Sequence, residues 1–115
     1  MKDPELFHED GLIDWNRDSR FIDRFVRAQT RPYPGAYTYL NGERITIWSA
    51  RSIEEEVSLD LPAGSIIGFR GHPAVVCGQG LLLLCEVETT NGAVLFEDEM
   101  SRSLLQGTVL KNFRS

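Results

Sequence analysis

The repeat of the apolar residues changes once along the chain, and that single change limits the folds open to it. Between about Arg17 and Gln29, the residues Phe21, Ile22, Phe25, Val26 and Ala28 fall within half of a helical wheel, with arginines on the other side. Asn16 or Asp18 is placed to cap this helix, and Asp23 with Arg27 makes a favourable i,i+4 pair. The run Arg31-Pro32-Tyr33-Pro34-Gly35 ends it, because Pro32 disfavours helical geometry at Arg31 and Pro34-Gly35 marks a turn.

Beyond that turn the period is two. Ala36–Leu40 and Glu43–Ala50 are strand candidates joined by Asn41-Gly42, a strong hairpin signal. In the second of these, Ile45, Ile47 and Ser49 are expected on one face and Thr46, Trp48 and Ala50 on the other. Glu54, Glu55 and Glu56 read as a solvated loop or edge. Four more short strands are expected at Ser65–Arg70, Ala74–Gly78, Leu81–Glu88 and Ala93–Glu97, with a short helix at Asp98–Leu105 and a last strand at Thr108–Phe113. One helix and about six short strands with frequent turns predict a mainly β (α+β) fold. Its form would be an N-terminal amphipathic helix packed on a small OB-like antiparallel β-barrel, because closure removes exposed edges. The expected core draws on Phe21, Ile22, Phe25, Val26, Ile45, Ile47, Ile66, Val75, Leu82, Leu84 and Val94.

With 115 residues the chain fits one domain. Residues 1–13, rich in carboxylates and poor in apolar groups, read as a linker, and residues 14–115 as the domain. The longest purely apolar run is Leu81 to Cys85, far short of a membrane span, and the start lacks a signal peptide. A cytoplasmic protein is expected. Two cysteines, Cys77 and Cys85, are too few for a disulfide framework and lack zinc-site spacing, so they read as buried, inert thiols.

Motifs for chemistry are sparse. There is no nucleophile elbow, zinc-binding histidine pair or phosphate loop. His8 and His72 have no sequence-local partner, and Glu86 and Glu88 read as exposed carboxylates on one strand face. More is carried by a row of arginines. Arg17, Arg20, Arg24, Arg27 and Arg31 fall within a sector of roughly 80° on a continuous helix. That stripe either attracts a phosphate or carboxylate, or is a solvated face whose arginines pair with acidic neighbours. Trp15, Tyr33, Tyr37, Tyr39 and Trp48 read either as a stacking platform for bases or as packing between helix and sheet. A net charge of −5 argues against a broad nucleic-acid surface.

Several ordered blocks resemble a known family: Asp10-Gly11-Leu12-Ile13-Asp14-Trp15, Arg27-Ala28, Pro32-Tyr33-Pro34-Gly35-Ala36-Tyr37 and Ile47-Trp48-Ser49-Ala50. Pro62-Ala63-Gly64-Ser65-Ile66 and Gly78-Gln79-Gly80-Leu81-Leu82 extend the likeness. Together they resemble the C-terminal domain of the formyltransferases, which include the methionyl-tRNA and the sugar-nucleotide enzymes. The resemblance implies a two-part enzyme whose Rossmann-like first domain binds 10-formyltetrahydrofolate and carries the catalytic Asn, His and Asp. None of that set maps onto this chain, so the resemblance implies a non-catalytic part that binds no cofactor and partners the catalytic domain in cis, with homo-oligomers possible. The acidic charge and the Asp-Gly-Leu-Ile-Asp-Trp block look more like the sugar-nucleotide branch than the tRNA branch. On that likeness, Asp14, Trp15, Arg20, Arg24, Arg27 and Tyr33 are the candidates for an interface or for approach to a sugar nucleotide.

Overall fold

A computed structural model of the chain describes residues 11–53 and 60–96. Its elements run α1 (Ser19–Gln29), β1 (Ala36–Leu40), β2 (Glu43–Ile53), β3 (Ile66–Phe69), β4 (His72–Val76), β5 (Leu81–Glu88) and β6 (Val94–Phe96). The strands form one six-stranded sheet in the order β1-β2-β5-β4-β3, with every named pairing antiparallel and β6 also on β5. The mainly β, single-helix architecture expected from the change of period is therefore present. Among the described residues the sheet is open, with no pairing of β1 to β3. The expected helix at Asp98–Leu105, the strand at Thr108–Phe113 and the Glu54-Glu55-Glu56 stretch lie outside the described residues.

Helix α1 starts where Asp18, in extended geometry, accepts a hydrogen bond from Arg20 N–H at 2.8 Å. Such a cap contributes about 1 kcal/mol. At 11 residues the helix would be marginal alone. Packing supplies the rest: Ile22, Phe25 and Val26 are buried, mainly against β2. Each contributes roughly 1.5–3 kcal/mol by leaving water.

Strand β2 does two jobs because it is bulged. Its pairing with β5 shifts register between Ile47 and Ala50, and a bulge bends a strand and redirects its side chains. Ser49 is exposed while Ala50 packs on the core, which reverses the faces expected for these two residues. Up to Ile47, β2 pairs with β1; beyond it, that edge meets α1. There Thr30 Oγ1 donates to the Trp48 carbonyl at 3.1 Å, and Ser52 N–H donates to Asp23 Oδ2 at 2.9 Å. The helix thus satisfies backbone groups that an open strand edge would expose.

Two turns need left-handed backbone. Asn41 and Gly42 have φ of 52° and 82°, as a two-residue primed hairpin requires. Arg70 and Gly71, with φ of 53° and 82°, form the same kind of link between β3 and β4.

The core lies between α1 and the sheet. It contains Ile22, Phe25, Val26, Ile45, Ile47, Ile66, Val75, Leu82 and Leu84 as expected, with Phe21 partly buried at its rim. Val94 is the exception. It is 39% exposed, because β6 is a three-residue edge strand. Ile13, Ala36 and Val87 join the core from outside the expected set, while Trp15 packs there and Cys77 is buried, as the packing and inert-thiol readings have them. Leu81 and Leu83 are buried on the opposite face of β5 from Leu82 and Leu84, so this strand is apolar on both sides there.

Residues 11–13, which composition reads as linker, pack in the fold. Ile13 N–H donates to the Tyr37 carbonyl at 3.0 Å, Tyr37 N–H donates to the Gly11 carbonyl at 2.9 Å, and Ile13 is fully buried. A little further on, Gly78 N–H donates to the Trp15 carbonyl at 2.8 Å. The segment before α1 is stitched to β1 at one end and to the β4–β5 turn at the other.

Candidate functional site

Of the six residues singled out in the sequence, Trp15 is the one withdrawn from solvent. Its indole Nε1–H donates to Thr38 Oγ1 at 2.9 Å inside the core, so its ring packs and does not present a face to a ligand. Asp14 is exposed and accepts from Asn16 N–H at 3.0 Å, which shapes the turn before α1. Arg20, Arg24 and Arg27 share the exposed side of the helix. Tyr33 stands on the loop after it, 40% exposed.

The arginine row does not act as one stripe. The helix runs only from Ser19 to Gln29, so Arg17 precedes its cap and Arg31 follows its end. Three of the five find local partners. Arg17 lies over the Phe21 ring at 3.8 Å, Arg20 Nε sits 3.6 Å from Asp18 Oδ1, and Arg27 Nε pairs with Asp23 Oδ1 at 3.0 Å. Arg24 has no carboxylate partner among the described residues. Positive potential is diluted along the helix instead of focused.

A tighter constellation forms where α1 ends. Arg31 Nη2 meets Glu86 Oε2 at 2.7 Å, and its guanidinium lies 4.7 Å from the centre of the Trp48 ring. Trp48 Nε1–H donates to Glu88 Oε1 at 3.0 Å. Gly35 packs beneath; a Cβ there would fall 2.6 Å from Thr46 Cγ2 and 2.9 Å from Trp48 Cζ3. Beside it Arg44 stacks on Tyr37 at 3.8 Å, and Tyr37 meets Tyr39 edge-on at 5.9 Å. The aromatic residues read as a possible stacking platform are thus divided: Trp15 is in the core, while Tyr37 and Trp48 are covered by arginines.

Sequence reasoning overlooked Trp48, Glu86 and Glu88 as one unit. The available signal was Glu86 and Glu88 on one face of β5, with Trp48 on the neighbouring strand. The pair that ties them to the loop, Arg31 with Glu86, joins residues 55 apart in sequence. A guanidinium paired with Glu86 and laid on Trp48, whose indole is itself bonded to Glu88, suits a brace between loop and sheet better than a phosphate site.

The titratable groups offer little for covalent chemistry. Burial, and then the Asp18 carboxylate, push the Cys77 thiol up to about 12. It is protonated at neutral pH and a poor nucleophile. Among the described residues no group of three His, Cys, Asp or Glu side chains could hold a metal ion. No helix among them is long and apolar enough to cross a membrane.

Comparison with known proteins places this geometry. Residues 5–103 match the family model described as formyl transferase, C-terminal domain. A methionyl-tRNA formyltransferase of Geotalea daltonii is 36% identical over 112 residues, covering 95% of this chain and 31% of the relative. Another, from a Roseiflexus species, is 40% identical over 83 residues, covering 72% of this chain and 25% of the relative. The bifunctional polymyxin resistance protein ArnA of Wigglesworthia glossinidia brevipalpis is 32% identical over 113 residues, covering 95% of this chain and 16% of the relative. The chain therefore spans a third or less of the length of these curated relatives. Among solved structures, a variant of HypX from Aquifex aeolicus superposes with a TM-score of 0.65 at 18% identity, over 89% of this chain and 18% of that one. HypX in complex with tetrahydrofolic acid gives 0.62 at 18% identity, over 85% and 17%. At that identity the likeness is one of fold. The blocks around Asp14-Trp15 and Pro32–Tyr37, the helix-on-sheet architecture and the family match agree: the chain belongs to the formyl transferase C-terminal domain family.

Proposed function

We propose that this chain serves as the accessory C-terminal domain of a 10-formyltetrahydrofolate-dependent formyltransferase acting in the cytoplasm. The domain before it carries the chemistry and the formyl donor. This one shapes the far side of the cleft or the contacts between subunits, and leaves the folate to the catalytic domain. Support comes from the family match over residues 5–103 and from relatives that are three or more times longer.

For the acceptor we favour an amino sugar linked to a nucleotide, as the resemblance in the Asp10–Trp15 block suggests. One observation carries this choice. Arg20, Arg27 and Arg31 are already paired with Asp18, Asp23 and Glu86, and the chain is acidic, with a net charge of −5. A domain that grips a tRNA arm needs clustered, uncompensated positive charge. A diphosphate needs only one or two arginines. Arg24, with Arg27 one turn away, is the position we assign to that role.

Methionyl-tRNA is the second reading, favoured by the 36% and 40% identities to methionyl-tRNA formyltransferases. Offering the full-length protein 10-formyltetrahydrofolate with each acceptor separates the two. The first reading expects formylation of a nucleotide-linked 4-amino sugar and none of methionyl-tRNA. Formylation of methionyl-tRNA alone, with binding that weakens steeply as salt rises, would overturn it.

A further inference from the structure

Two Asn-Gly dipeptides stand at exposed turns of the sheet, Asn41-Gly42 between β1 and β2 and Asn91-Gly92 between β5 and β6. This pairing leaves an asparagine side chain open to attack by its own backbone. Glycine has no side chain to crowd the nitrogen that follows the asparagine, and its dihedrals move freely. By sequence the two sites are equivalent. The fold separates them.

At Asn91 both reacting groups are held. Gly92 N–H donates to the Thr89 carbonyl at 3.0 Å. Asn91 Oδ1 accepts from Ala93 N–H at 3.3 Å and from the Thr89 hydroxyl. The nitrogen that would attack and the carboxamide it would attack are thus each tied to the turn, and neither reaches the other until those bonds open. At Asn41 the turn is closed instead by the pairing of Leu40 with Glu43 on either side. Asn41 and Gly42 sit at φ of 52° and 82°, and Asn41 is exposed. Among the described residues neither the Asn41 carboxamide nor Gly42 N–H has a hydrogen-bond partner.

We propose that Asn41 is a self-modification site of the folded protein, converting to aspartate and isoaspartate, and that the Asn91 turn is protected from the same reaction. The Gly42 nitrogen gives its proton to hydroxide and attacks Asn41 Cγ. A bond from nitrogen to Cγ forms, the Cγ–Nδ2 bond breaks, and the side-chain nitrogen takes up a proton from water and leaves as ammonia. Water then opens the cyclic imide. Breaking the new nitrogen–Cγ bond gives aspartate, and breaking the bond between the Gly42 nitrogen and the Asn41 main-chain carbonyl carbon gives isoaspartate. One water is consumed and one ammonia released, with no oxidation or reduction. Both products place a new carboxylate beside the exposed Glu43. Isoaspartate also lengthens the main chain by one carbon within the turn that sets the β1–β2 register.

The test ages the intact protein in mildly alkaline buffer, folded and in concentrated urea, and follows the asparagine, aspartate and isoaspartate forms of each turn by peptide mass spectrometry. In the folded protein Asn41 is expected to convert about fivefold or more faster than Asn91, since opening the Asn91 turn sacrifices its hydrogen bonds. In urea the two rates converge, which assigns the difference to the fold. Thr89→Val, which removes the hydroxyl from Asn91 Oδ1, raises conversion at Asn91 and leaves Asn41 unchanged. Circular dichroism checks that this variant stays folded. Asn41→Asp abolishes most of the acidic species that ion exchange resolves in the aged wild type. Equal rates at the two sites in the folded protein, faster conversion at Asn91, or an Asn41 that stays intact while the unfolded chain converts would each overturn the proposal.

Discussion

Asp23 uses both carboxylate oxygens at once: Oδ2 accepts the Ser52 backbone N–H at 2.9 Å, and Oδ1 pairs with Arg27 Nε at 3.0 Å. The first contact closes the edge of β2 beyond its pairing with β1, and the second lies out in solvent. Their consequences differ. Asp23→Ala strands a part-buried N–H and costs about 1–3 kcal/mol. Arg27→Ala removes an ion pair whose arginine is 69% exposed and costs well under about 1 kcal/mol. Urea unfolding midpoints of the two variants check the order, which reverses if the ion pair is what holds helix to strand.

Gly78 packs against the backbone ahead of α1. A Cβ there would lie 1.8 Å from the Asn16 carbonyl oxygen, and backbone on both sides cannot give way. Gly78→Ala is expected to cost about 3 kcal/mol or more, the upper end of overpacking penalties. Gly71 faces open space at φ +82°, so Gly71→Ala costs only the left-handed strain of about 1–2 kcal/mol. Thermal unfolding of both variants measures the contrast.

Cys77 makes stability depend on alkaline pH. Its thiol is raised from an ordinary 9.0 to about 12 in the folded state, so between those values the folded chain holds a proton that the unfolded chain has lost. Stability from this group is complete below about pH 9 and falls as pH rises toward 12, by up to roughly 1.4 kcal/mol per unit. Comparing unfolding free energies at pH 8 and pH 10 for wild type and Cys77→Ala isolates the effect. The difference between the two proteins should shrink at the higher pH, and a constant difference would show that the thiol is not shifted.

Trp15 distinguishes packing from ligand contact. Trp15→Phe removes the hydrogen bond to Thr38 and costs about 1 kcal/mol, while Trp15→Ala opens the core and costs about 3–5 kcal/mol. Both losses appear in unfolding of the chain with no ligand present. A stable Trp15→Ala variant impaired only in substrate affinity would return this residue to the interface.

Much of this architecture is legible in local signals. The spacing of Ile22, Phe25 and Val26 locates α1, Asn41-Gly42 locates the first hairpin, and the alternation at Ile45 and Ile47 gives the inner face of β2. Contacts distant in sequence are not written so plainly. Ile13 sits in a polar neighbourhood that reads as linker, and only the pairing with Tyr37 draws it into the core. The bulge in β2 exchanges the faces of Ser49 and Ala50, which strict alternation does not foresee. The five arginines obey a helical spacing that the helix itself does not span, since Asp18 caps it after Arg17 and Thr30 ends it before Arg31. Arg31 consequently turns to Glu86 and Trp48 across the sheet.

The most direct measurement of an accessory role is formyl transfer from 10-formyltetrahydrofolate by the full-length protein, compared with the same protein lacking residues 11–115. An accessory domain that shapes the cleft predicts transfer by the intact protein and a loss of about tenfold or more in kcat/KM, roughly 1.4 kcal/mol, on truncation. Equal kcat/KM for a folded truncated protein would contradict it.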